Sequence, residues 1–420
     1  MKANPAHPMA AELLPFREAR RLVEAEAARL RPTETEAVAL PRSPGRVLAE
    51  EVRADRDQPP FPRATRDGYG VRAADLARLP AQLKVMGEIR AGGSLDPTLS
   101  PLAAGCAVEI MTGAPVPAGA DAVVMVEYTS RQGDQVRIER GAAAGENVVP
   151  RGSEARKGDV LLARGTRMTP AAIAAAAAAG KAEVMVHRRP RVAILSTGDE
   201  LVEIGAHPGE NQIRNSNSYS LAAQVEAAGG DPVQLAIAPD AREPLRRLLE
   251  EGLAADLLLV TGGVSAGKHD LVEEVLSEIG AEFLFTGALI QPGRPVVFGR
   301  VPRHTGAEAT PFFGLPGNPV STLVCFELFA RPVLDALSGA RPAPLQFVQA
   351  RLKAEVKTRT GLTRFLPAVL SGEFEEAEVE MVRWQGSGDV AAAARANCYL
   401  VVPPDKEKLS AGEMVSILMR

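Results

Sequence analysis

The chain has 420 residues, 46% hydrophobic and 24% charged, an ordinary balance for a globular protein of roughly two to four domains. A formal net charge of −4, without long runs of Lys or Arg, argues against nucleic acid and acidic membrane surfaces and leaves a small molecule or a second copy of the chain as partner. The cysteines (Cys106, Cys325, Cys398) and histidines (His7, His187, His207, His269, His304) are scattered, which excludes a paired-thiol redox motif and a His/Cys metal cage and fits a reducing, cytoplasmic setting.

In chain order, the opening MKANPAHPMAAELLPF lacks the apolar core of a signal peptide. Residues 13–30 have helical spacing and many charges; this amphipathic helix packs either on another subunit or on its own core. Across 47–150, short β-rich runs alternate with Gly and Pro (LKVMGEIRAGGS, CAVEIMTGAPVP, DAVVMVEY), which predicts a compact, mostly β insertion. Behind Pro170, the alanine-rich stretch 171–179 is too short to span a bilayer and reads as a buried helix. From Arg191 the pattern becomes regular. Strands are predicted at 191–196, 233–238 and 256–261, with helices at 215–228, 243–253 and 270–279. Continuous apolar strands alternating with helices indicate a parallel sheet covered on both faces. Further strands are predicted at 295–299 and 312–315, a last helix at 320–337, a linker in SGARPAP, and a small β domain over 345–420. The fold class is therefore α/β plus β and multidomain, with a doubly wound, mostly parallel sheet.

Ligands of open parallel sheets bind beyond the carboxyl ends of the strands. Four segments occupy such ends: STGDE, holding Ser196, Thr197, Gly198, Asp199 and Glu200; APD, ending in Asp240; TGGVSAGKHD, holding Gly262, Gly263, Ser265, Gly267 and Asp270; and GLPGNP, holding Pro316, Gly317, Asn318 and Pro319. Glycines before a helix let a phosphate approach the backbone closely, although they also serve simple tight turns. Asp199, Glu200, Asp240 and Asp270 are expected to converge on one edge, where crowded carboxylates hold a hard cation, magnesium rather than zinc. The plainer reading makes Asp199 and Asp270 helix caps and Glu200 and Asp240 solvated loop residues.

Taken together, PPFPRATRDGYGV, IMTGAPVPAGADAVVMVE, GENVVPRG, ILSTGDEL, GGVSAGKHD, QPGRPVVFG, GLPGNPVS and QGSGDVAAAARAN resemble the molybdopterin molybdotransferase family, related to the C-terminal domain of gephyrin, over nearly the whole chain. The resemblance implies four domains: 9–48 with 151–186 as a discontinuous linker and dimerisation domain, a β-rich insertion at 49–150, an α/β molybdopterin-binding domain at 187–340, and a C-terminal β domain at 345–420. It implies a homodimer with a cleft between the α/β domain of one subunit and the insertion and C-terminal regions of its neighbour. It implies insertion of molybdenum from molybdate into adenylylated molybdopterin, with magnesium held by Glu200, Asp240 and Asp270 and release of AMP. Asp67 and Thr112 match cleft positions; Ser265, Arg294, Arg364 and Ser387 fall where the family contacts oxyanions. Partners would include the molybdopterin adenylyltransferase and downstream molybdoenzymes. The alternatives are adenylylation itself, or a gephyrin-like scaffold. The chain departs from the family pattern at Arg66, Glu154, Gln291 and Asp389; Gln291 replaces a cation expected at the oxyanion site.

Overall fold

A computed structural model describes residues 13–93, 99–263, 271–302 and 309–419. Helix α1 (Phe16–Ala27) turns Ala19, Val23 and Ala27 inward, and Phe16 meets Phe329 and Phe365 edge-on with centroids 6.2 and 5.1 Å apart. Its apolar stripe thus covers the core of its own chain, which decides between the two readings of residues 13–30. Strand β1 (Thr35–Ala39) follows. Then β2 (Gly68–Val71), β3 (Ala81–Ile89), β4 (Cys106–Ile110), β5 (Ala122–Met125), β6 (Thr129–Gln132) and β7 (Gln135–Ile138) form a mixed sheet in the order β5-β2-β4-β3-β7-β6. Its inward residues alternate, as in Ala81, Leu83 and Val85 on β3, because successive side chains on a strand point to opposite faces.

Helix α2 (Pro170–Ala178) begins with Pro170 at its first position and Thr169 capping the Ala172 amide. Strand β8 (Glu183–His187) then pairs antiparallel with β1, so the chain returns beside its own start. The expectation of a buried alanine helix is corrected here. Only Ala172 and Ala176 of α2, with Ala179 just beyond it, are buried. One side packs on Leu48, Val184 and Val186, and nothing in the described chain covers the other.

The next region runs β9 (Arg191–Ser196), α3 (Asn217–Ala227), β10 (Asp231–Gln234), α4 (Arg242–Gly252), β11 (Leu257–Thr261), α5 (Leu271–Glu278), β12 (Glu282–Phe285), β13 (Ile290–Gln291), β14 (Val297–Val301), β15 (Thr310–Leu315), α6 (Pro319–Cys325), a π-turn (Phe326–Ala330) and α7 (Arg331–Leu337). Its sheet has the order β10-β9-β11-β15-β14-β12. Val192, Ile194, Leu257 and Leu259 pack with α3, α6 and α7; Ala193, Leu195, Leu258 and Val260 pack with α4 and α5. Burial on both faces is why these strands are apolar without alternation.

Three differences from the sequence expectation appear. The sheet is mixed through one strand: β10, β9, β11, β15 and β12 run in the same direction, and β14, between β15 and β12, is antiparallel to both, which leaves the sheet mostly parallel. The strand expected at 233–238 is the edge strand β10, containing Pro232, whose ladder stops at Gln234; the chain rejoins only where Ala238 bridges Thr197. Proline, lacking an amide donor, is confined to such edges. The helix expected at 320–337 is interrupted by the π-turn, where the buried Arg20 guanidinium donates to the Leu328 carbonyl.

Strands β16 (Phe347–Leu352), β17 (Thr363–Ser371), β18 (Glu378–Met381), β19 (Cys398–Val402) and β20 (Met414–Met419), with α8 (Val390–Arg395) before β19, make the C-terminal part. The order is β13-β17-β18-β16-β20-β19, and β17 also pairs with β19, which gives the sheet a barrel-like closure. Strand β13 belongs in sequence to the α/β region but pairs with β17, aligning Gln291 with Arg364. No helix among the described residues is long and apolar enough to cross a membrane.

Candidate functional site

The carboxyl ends of β9, β11 and β15 lie side by side, and backbone hydrogen bonds tie the loops that leave them. The Thr197 amide donates to the Thr261 carbonyl at 3.0 Å, Gly198 to Ala238 at 3.1 Å, and Gly262 to Leu315 at 3.3 Å. Side chains complete the ledge. Asp199 accepts from the Asp240 amide at 3.0 Å, joining the STGDE and APD loops. Asn217 Nδ2, in the first turn of α3, donates to Thr261 Oγ1 at 2.9 Å and to the Gly317 carbonyl at 2.8 Å. Thr322 Oγ1 donates to the carbonyls of Pro316 and Asn318, fixing the PGNP loop from inside α6. Gly262 has φ +87°, and a Cβ there would stand 2.4 Å from the Thr197 carbonyl oxygen, so only glycine lets these two loops approach. Ser196 lies beneath the ledge, its hydroxyl bonded to Asn215 at 3.0 Å and Ser218 at 2.8 Å; it braces the loop from below.

Two buried polar atoms here have no partner among the described residues: Thr197 Oγ1 and Asn217 Oδ1. Their residues are 2% and 8% exposed. Buried polar atoms are normally satisfied, so such orphans at a strand end point to a ligand. Glu200 and Asp240 are exposed, and neither side chain makes an ion pair or hydrogen bond among the described residues. The Glu200 carboxylate lies against Gly198, where a Cβ would come within 2.3 Å of its Oε2. Asp270 and Ser265, with Gly267, lie outside the described residues. Among the described residues no group of three His, Cys, Asp or Glu side chains is gathered closely enough to hold a metal.

A second group forms where the α/β region meets the C-terminal sheet. The Ser387 carbonyl accepts from the Val320 amide at 3.0 Å, at the start of α6, so Ser387 sits beside Asn318 and Pro319 within one chain. Arg364 is 7% exposed. Its Nε donates to Gln291 Oε1 at 2.8 Å and its Nη1 to the Leu362 carbonyl at 3.2 Å. Burial holds its pKa below the ordinary arginine value. Arg294, three residues after Gln291, is exposed. Asp389 caps α8 by accepting from the Ala392 amide at 3.0 Å and the Gln385 amide at 3.1 Å, and these bonds hold its carboxyl below the usual range. Glu154 pairs with Arg63 at 3.0 Å. Arg66 is exposed.

Asp67 and Thr112 meet because they flank β2 and β4, which pair antiparallel with Gly68 opposite Ile110. The Thr112 amide donates to Asp67 Oδ1 at 2.7 Å, and hydrogen bonding from Thr112 lowers the Asp67 pKa. Among the described residues, neither bonds to the ledge of its own chain.

Sequence reasoning assigned no role to Asn217. Its signal was the run NSNS (Asn215 to Ser218) opening a helix after the STGDE strand: four polar side chains in succession, of which Asn215, Asn217 and Ser218 are buried.

Three family models match the chain in succession: the MoeA N-terminal region (domain I and II) over residues 14–180, a "probable molybdopterin binding domain" over 193–336, and the MoeA C-terminal region (domain IV) over 349–419. The chain is 34% identical to a molybdopterin molybdenumtransferase of Bacillus subtilis, over 92% of this chain and 90% of the relative. It is 33% identical to one of Haemophilus influenzae, over 92% and 94%. The crystal structure of a molybdopterin biosynthesis MoeA protein from Pyrococcus horikoshii superposes with a TM-score of 0.78 at 32% identity, covering 97% of this chain and 100% of that one.

Proposed function

Since the chain belongs to the MoeA family of molybdopterin molybdenumtransferases, we propose that it transfers molybdenum from molybdate into adenylylated molybdopterin and releases AMP, in the molybdenum cofactor biosynthesis of the cytoplasm. The observation that carries this reading is the strand-end ledge, where two orphaned polar atoms, two unpaired carboxylates and a close-approach glycine turn lie together. With it go a homodimer, the domain division 9–48 with 151–186, 49–150, 187–340 and 345–420, and a doubly wound sheet in the third domain.

The residues present suit this substrate in kind. Thr197 Oγ1 and Asn217 Oδ1 offer the unused hydrogen-bonding capacity that a pterin or phosphate edge requires. Gly262 and Gly263 set the turn that brings the Thr197 loop against the end of β11, with Gly198 and the rigid PGNP loop as the facing wall of the substrate site. Arg294 and Arg364, with Ser265 and Ser387, receive the tetrahedral oxyanion, which a guanidinium fork fits. Glu200 and Asp240 are hard oxygen donors not spent on any cation among the described residues, a donor set that fits magnesium, and Asp270 would join them. When bound, the ion supplies polarisation of the phosphoanhydride and neutralises charge on the departing phosphate. The carboxylates hold and orient, and no protein nucleophile is needed. Asp67 and Thr112 come from the neighbouring subunit.

The test is purified full-length protein with adenylylated molybdopterin, magnesium and molybdate, following AMP. Molybdate-dependent AMP release is expected, and Glu200→Gln or Asp240→Asn should slow it by about 100-fold or more, the scale of losing several kcal/mol of charge stabilisation. Undiminished release from both variants would end the assignment.

A further inference from the structure

A buried guanidinium ordinarily lies against a carboxylate, because an uncompensated buried charge is costly. Arg364 departs from this. Its two protein partners, the Gln291 side-chain amide and the Leu362 carbonyl, are both neutral, and no carboxylate pairs with it among the described residues. Nη2 makes no hydrogen bond among the described residues. The positive charge is therefore fixed in place and left uncancelled, at the seam between the α/β region and the C-terminal sheet.

The register explains why residue 291 controls this. Strand β13 places Gln291 directly opposite Arg364 on parallel β17, so the two side chains are neighbours on one face. Each class of side chain at 291 would have a different effect. A carboxylate would occupy the guanidinium and cancel its charge. A lysine or arginine would repel it. An apolar side chain would leave the Nε donor without an acceptor. An amide oxygen fixes the guanidinium plane through Nε while its charge and its remaining N–H edge stay available.

We propose that Gln291 is the positioning residue of the oxyanion site: a neutral acceptor that orients Arg364 toward a tetrahedral dianion of the molybdate, tungstate or sulfate type without neutralising it. This rests on Arg364 being the oxyanion receptor, as proposed above.

The test is equilibrium dialysis of the full-length protein against molybdate, read by metal analysis, with the KM for molybdate measured in the AMP-release assay. Gln291→Glu keeps the hydrogen bond and should leave the melting temperature unchanged or higher, yet weaken molybdate binding by about tenfold or more, since a charge-assisted pair spends the cation. The loss should appear in KM, with kcat at saturating molybdate near that of the parent. Gln291→Leu, which keeps the charge but removes the acceptor, should weaken binding less, by about threefold to tenfold. Parental affinity in Gln291→Glu overturns the proposal, as does parental affinity in Gln291→Leu. Arg364→Ala separates the two levels. If it too binds molybdate as the parent does, the oxyanion site itself lies elsewhere; if it loses binding while both Gln291 variants keep it, only the role of Gln291 fails. Sulfate competition in the same dialysis shows whether the site reads the tetrahedral dianion or the metal.

Discussion

A single side-chain amide, Asn217 Nδ2, holds two strand-end loops at once through Thr261 and Gly317. Truncating it leaves the Gly317 carbonyl and Thr261 hydroxyl buried without that donor. Asn217→Ala should lower the stability of the chain by about 1–3 kcal/mol and cut AMP release further than that loss explains, because the orphaned Oδ1 goes too. Denaturant unfolding and the AMP assay measure the two effects, and unaltered catalysis in a folded Asn217→Ala protein would remove the residue from the site. Asp199 is a comparable case. The sequence marked it as acidic and near the edge, with capping as the plainer reading, and its carboxylate is spent bracing the Asp240 amide. Residue type and position along the chain were legible at these places, but which of several acidic side chains is free and which is used internally was not.

Elements were read well where the pattern was long and less well where a neighbour decides the outcome. Strands β9 and β11 stood out in the sequence because burial on both faces demands unbroken apolar residues. The reversed β14 was not distinguishable from a parallel strand, since direction is set by the connection and leaves no mark on composition. The π-turn is another such feature. Its Leu328 carbonyl accepts from the Arg20 guanidinium of α1, a residue 308 positions away. Arg20→Ala should destabilise the chain by about 1–3 kcal/mol by leaving a buried carbonyl unpaired, visible as a shifted urea midpoint with unchanged slope. An unshifted midpoint would mean water replaces the guanidinium at no cost.

For the whole molecule, the placement of Asp67 and Thr112 carries the main consequence. They bond to each other and not to the ledge of their own chain, which fits a cleft completed by a second copy. A mixture of Asp67→Ala and Asp240→Ala proteins, each inactive alone, then has one intact cleft in every mixed dimer. After random reassortment of equal amounts, activity should return to about a quarter of the parent level, because half the dimers are mixed and each holds one working site of two. No recovery, with subunit exchange verified, would place Asp67 in the cleft of its own chain. The closed C-terminal sheet matters at this scale as well. It borrows β13 from the α/β region, so the group of Gln291, Arg364 and Ser387 spans a seam that composition alone divides elsewhere.

The sequence by itself determined the kind of chemistry, through ordered motifs that together resemble one family, and it marked glycine turns and acidic groups at the ends of apolar strands. Those are local properties, written in residue type and spacing. Only the tertiary structure decided which strand ends adjoin, that Asn217 ties two of them, that Ser196 faces inward, and that Gln291 lies against Arg364. The reason is that these pairings join residues tens to hundreds of positions apart, and hydrogen-bond satisfaction and burial are properties of the packed chain that no local stretch contains.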